Sequence, residues 1–169
     1  MLLRGAVLGL MLAASASTAS AQQRLSVTPP CPAERAIYTI PDSEARLRLM
    51  RPTHGVNAFS DLALRVEAAG HVLWFGFVSS NGYGRDFIVY INDPTAPDGE
   101  SPYEVARAPE GDEVGVFDSD MSYRAIPRAG EPAPIYIYAP GIGPRFWYDL
   151  PERTHVPVGM WRLTECATR

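Results

Sequence analysis

The chain contains no lysine; its fifteen basic residues are all arginine. That absence excludes Schiff-base catalysis, a lysine general base and the lysine of a phosphate-binding P-loop. Cysteine is scarce as well, with only Cys31 and Cys166. They show no C-x-x-C spacing and no neighbouring histidine, which argues against a thiolate metal centre or a redox motif. No serine stands in a G-x-S-x-G elbow. The three histidines, His54, His71 and His155, fall in no zinc-binding frame. No segment carries a convincing 3.6-residue apolar stripe, and after Ala14 no run approaches the ~18 apolar residues of a membrane span.

The N-terminus is the most directive feature that is present. Arg4 precedes an apolar run from Gly5 to Ala14, and small residues lead to Ala19-Ser20-Ala21 before Gln22. A positive start, a short apolar core and an A-x-A site predict a secretory signal peptide over residues 1–21. The expected mature chain is residues 22–169, or 148 residues (169 − 21), which suits one domain. Its expected location is periplasmic or secreted. Cys31 lies well past the cut, so no lipid anchor is predicted. In an oxidising compartment an even pair favours a Cys31–Cys166 disulfide that ties the first mature segment to the last.

The mature chain carries 14 arginines (15 less Arg4) against 19 acids, net −5, which disfavours a nucleic-acid partner. Acid is concentrated between Asp93 and Asp120, where nine carboxylates face Arg107 alone, net −8. Asp118 and Asp120 are candidate oxygen ligands for Ca²⁺ by composition. The twelve-residue EF-hand frame fails, with Tyr123 at its sixth position and Ala129 at its twelfth. Solvated surface is the plainer account, and no other cofactor is implied.

Strand patterning dominates the rest. Leu62–Glu67, His71–Val78 and Phe87–Ile91 are separated by turn chemistry, Ala68-Ala69-Gly70 and Ser79–Gly84, and predict an antiparallel meander. Ala45–Met50, Val114–Phe117, Pro134–Tyr138, Arg145–Tyr148 and Gly159–Thr164 are further predicted strands. Gly141-Ile142-Gly143-Pro144 reads as a tight turn before a strand. The fold class expected is an all-β, single-domain antiparallel β-sandwich (or a small, partly open barrel), stapled by one disulfide. Both faces of Val72–Val78 are apolar, so the second face needs a cover: the long loop Asn92–Glu113, a terminal segment, a partner or a ligand.

Aromatic residues supply the remaining candidates. Tyr83, Arg85, Tyr136, Tyr138, Arg145, Trp147 and Tyr148 are candidate ligand-binding residues if exposed on a β surface. With no catalytic frame, the expected function is a non-catalytic binding or interaction module of the cell envelope, its partner a protein or glycan. The alternatives are a carboxylate hydrolase of envelope polysaccharide using Asp118 and Asp120, and a secreted enzyme inhibitor.

Overall fold

The computed structural model describes residues 30–53, 59–80, 82, 84–96 and 111–168. The expected signal peptide, His54, Tyr83 and most of the acidic loop lie outside the described residues. Among the described residues nine strands follow a 3₁₀ turn, Ala33–Arg35: β1 (Ala36–Thr39), β2 (Arg46–Met50), β3 (Ala63–Ala68), β4 (His71–Ser79), β5 (Asp86–Ile91), β6 (Asp112–Phe117), β7 (Tyr123–Arg124), β8 (Tyr136–Tyr138) and β9 (Met160–Cys166). A short helix, α1 (Ile142–Tyr148), precedes β9.

The strands form one continuous sheet rather than two layers. Its order is β5-β4-β3-β2-β1-β9-β8-β6, with every neighbouring pair antiparallel. Pairing of Asp86–Ile88 with Asp112–Val114 joins the two ends. The result is a closed eight-stranded barrel, with β7 added along the second half of β6. The expected sandwich is therefore replaced by the barrel alternative. Sandwich and barrel share the same in–out alternation, and closure rests on a ladder between strands separated by a long connection.

Period-two alternation sets the two faces. Leu47 and Leu49, Leu64 and Val66, Leu73, Phe75 and Phe77, Ile88, Val114 and Val116, Ile137, and Trp161 and Leu163 fill the interior. Tyr38 is fully buried among them and donates its hydroxyl to the Pro134 carbonyl at 2.9 Å, which satisfies a group that would otherwise be costly to bury. Burial holds this phenol well above its ordinary pKa. Bulky side chains occupy the barrel, as an eight-stranded interior allows.

Helix α1 corrects two expectations: Arg145–Tyr148 is not a strand, and Gly141–Pro144 opens a helix. Ile142 and Phe146, four residues apart, bury against the barrel core while Tyr148 stays exposed. Pro144 fits because first-turn amides have no intrahelical partner. The glycines are required by close approach. A Cβ on Gly141 would lie 2.1 Å from Asp112 Cγ, and one on Gly143 would lie 2.6 Å from the Val156 carbonyl oxygen. Seven residues are too few to display a helical period.

The apolar outer face of the meander is buried around Trp74, while Val72 at its end stays exposed. Ala63, Trp74, Val89 and Ile91 form a second buried cluster, with Met50 and Val78 packed against it. Beside it, the segments leaving β2 and β5 are clasped where Thr53 donates its amide and its hydroxyl to the Pro94 carbonyl, each at 3.0 Å. Pro52 and Pro94 are buried. Cys31 and Cys166 form the expected disulfide, with Cα atoms 5.8 Å apart. It fastens the start of the described chain to the end of β9.

Candidate functional site

A ring-lined depression lies outside the barrel, where β6 changes partner. One edge of β6 pairs with β5 through Asp112–Val114 and then with β7 through Val116–Phe117. Val114 and Val116 point inward, so Glu113, Gly115 and Phe117 face out. Gly115 has no side chain, and the Phe117 ring folds over it; a Cβ there would meet that ring at 3.0 Å. Tyr123 stands edge-on to Phe117, with centroids 5.8 Å apart and planes at 80°. Tyr138 faces Gly115 across the β6–β8 ladder. Together with Arg85, Asp86 and Glu113 these groups line a depression of about 300 Å³.

The groove has apolar walls and a charged rim. Tyr123 is 52% exposed and Tyr138 is 41% exposed, so both rings are open to a ligand. Tyr123 donates its hydroxyl to Asp86 Oδ2 at 2.7 Å, which fixes the ring. Desolvation raises the Tyr123 phenol to about 12, with the Asp86 hydrogen bond and the charges of Asp86 and Glu113 adding to the effect. Arg85 sits 3.9 Å from Glu113, a loose and exposed pair. The rim thus offers carboxylates as acceptors and a guanidinium as donor beside two exposed rings.

Of the candidates named from sequence, Arg85 and Tyr138 meet in this groove and Tyr83 lies outside the described residues. Tyr136 is half-buried and pairs with Phe117 and Arg162. Arg145 is occupied elsewhere: it donates to Asp112 at 3.3 Å and to Asp149 at 3.2 Å. Although burial opposes it, these carboxylates raise the guanidinium pKa further. Trp147 carries Arg153 over its ring at 5.6 Å, and Tyr148 is exposed on the same helix. Among the groove residues that escaped the sequence reading are Asp86, Glu113, Gly115, Phe117 and Tyr123. The available signal was Gly115 itself, since a glycine inside a strand marks a close approach.

The acidic candidates are engaged locally. Asp118 accepts from Arg124 at 2.9 Å, and Asp120 accepts the Ser122 amide at 2.9 Å in the β6–β7 turn. Hydrogen bonding from Ser122 holds Asp120 below its ordinary carboxylate pKa. A general acid needs the opposite shift. Among the described residues no group of three or more His, Cys, Asp or Glu side chains is assembled to hold a metal. His71 lies 3.7 Å from Glu152, and His155 lines a separate depression with Asp42, Glu44 and Thr154. No protein-family model, curated protein or solved structure matches the chain.

Proposed function

We propose that this protein is a non-catalytic binding module, exported to the periplasm or secreted, whose groove at the β5–β6–β7 junction takes a glycan of the cell envelope. The disulfide suits an oxidising compartment, in keeping with the signal-like N-terminus. One observation carries the binding role: two exposed tyrosine rings flank a depression rimmed by Asp86, Glu113 and Arg85. Rings of this kind stack on the apolar face of a sugar, while carboxylate and guanidinium groups bond its hydroxyls. A hydrolase has less support, because Asp118 and Asp120 are tied into a turn and neither lines the groove.

The test is titration of the mature protein with soluble envelope glycan fragments, followed by calorimetry. Tyr138→Ala should weaken binding about tenfold, which corresponds to ~1.4 kcal/mol of lost ring contact. Gly115→Val should abolish it by displacing Phe117 into the groove. Equal affinity in wild type and both variants removes the groove from the function.

A further inference from the structure

We propose a second site, independent of the groove, in which Arg35 and Arg48 bind the phosphate group of a ligand. Inward Leu47 and Leu49 turn Arg46 and Arg48 to the outer face of β2. The β2–β3 register then sets Arg48 directly opposite Arg65. Like charges at opposed positions repel. Arg65 is compensated, by Glu67 at 2.7 Å and by the Trp74 ring at 5.9 Å. Arg48 is not, and forms no ion pair among the described residues.

Arg48 is also half-buried, and it lines a depression of about 210 Å³ with Arg35, Glu34, Leu49, Met50 and Ala167. Arg35 is half-buried there too and likewise has no ion pair among the described residues. Glu34 supplies one negative charge in the same depression. Its carboxylate accepts the Gly130 amide at 2.8 Å, and that bond is the main cause of its lowered pKa, to which the charge of Arg35 contributes. The depression therefore gathers two half-buried guanidinium groups, neither in an ion pair among the described residues, against a single carboxylate. Each presents a planar fork of donors matched to oxyanions. A phosphate dianion carries twice the charge of a carboxylate and has oxygens enough to accept from both forks.

Phosphate raises the melting temperature of many proteins by exclusion from their surface, so the test must be saturable and residue-specific. The mature protein is titrated with inorganic phosphate at constant ionic strength, and arginine Nε–H resonances are followed by NMR. Arg35 and Arg48 should shift together and saturate in the millimolar range, with acetate giving at least fivefold weaker binding. Arg48→Gln should lose at least fivefold in phosphate affinity, while Arg162→Gln on the same barrel should not change it. In phosphate-free buffer Arg48→Gln should hold or raise the melting temperature, because the repulsion with Arg65 is gone. Linear, unsaturated shifts, equal response to acetate, or unchanged affinity in Arg48→Gln would each overturn the assignment.

Discussion

Removing the Cys31–Cys166 bridge should be the most damaging change that leaves the barrel's contacts in place. The bond closes a loop of 136 residues (166 − 31 + 1). In the chain-entropy picture, that constraint on the unfolded chain is worth up to about 5 kcal/mol. The folded state should keep its shape without it. Cys31 still accepts the Ala133 amide at 2.8 Å, Ala33 donates to Glu131 at 2.8 Å, and β1 remains zipped to β9 from Ala36 to Thr39. The loss therefore falls on the unfolded side of the equilibrium. A domain of this size has roughly 5–15 kcal/mol in total, so the double variant Cys31→Ser/Cys166→Ser is left near the margin. At about 2–4 °C per kcal/mol, its melting temperature should fall by roughly 10–20 °C. Urea unfolding of oxidised and reduced protein, followed by circular dichroism, measures both the free energy and the slope. The slope should rise on reduction, because the opened chain exposes more surface. A loss under about 1 kcal/mol would refute the view that this link constrains the unfolded ensemble.

Other perturbations test separate parts of the structure. Phe146→Ala, which empties a fully buried position where α1 meets the barrel core, should cost about 3–5 kcal/mol in chemical denaturation. Gly141→Ala should force Asp112 away and weaken its contact with Arg145, costing about 1–3 kcal/mol; an unchanged unfolding midpoint would show that the close approach is not real. In the β3–β4 turn Ala69 has φ 48° and Gly70 has φ 80°, a pairing of positive angles that suits asparagine better than alanine. Ala69→Asn should accordingly stabilise the protein by about 0.5–1 kcal/mol. Tyr123 has its folded pKa raised above the unfolded value of about 10, so its stabilising effect is complete below pH 10 and is lost as pH climbs through about 12. Ultraviolet titration should find one phenol ionising near 12, and Asp86→Asn should bring it down; an Asp86→Asn curve identical to wild type would count against the Tyr123–Asp86 bond.

Alternation alone marked most strands correctly, because burying one face of a strand leaves a period of two in the residues themselves. Leu47 and Leu49 between Arg46 and Arg48 show it plainly, as do Leu64 and Val66 beside Arg65 and Glu67 in β3, whereas β4 is apolar on both faces and is marked by its flanking turns. Where the segment is short, that signal disappears. Tyr123–Arg124 is too brief to pattern, and Phe146-Trp147-Tyr148 looks like a strand until Ile142 and Phe146 are seen buried four residues apart. The groove was legible only in part. Arg85 and Tyr138 stood out as a cation and a ring, whereas Asp86, Phe117 and Tyr123 joined them through the partner change along β6.

The sequence by itself determined that the chain is β-rich, since residue periodicity is a local property, and its even cysteine count favoured the single bridge that the fold then closed. Tertiary structure decided that the sheet closes into a barrel, that α1 packs against its core, and which side chains share a groove. Those outcomes depend on ladders between distant strands, above all Asp86–Ile88 with Asp112–Val114. A residue's own neighbours in the chain carry no record of the strand that will lie beside it.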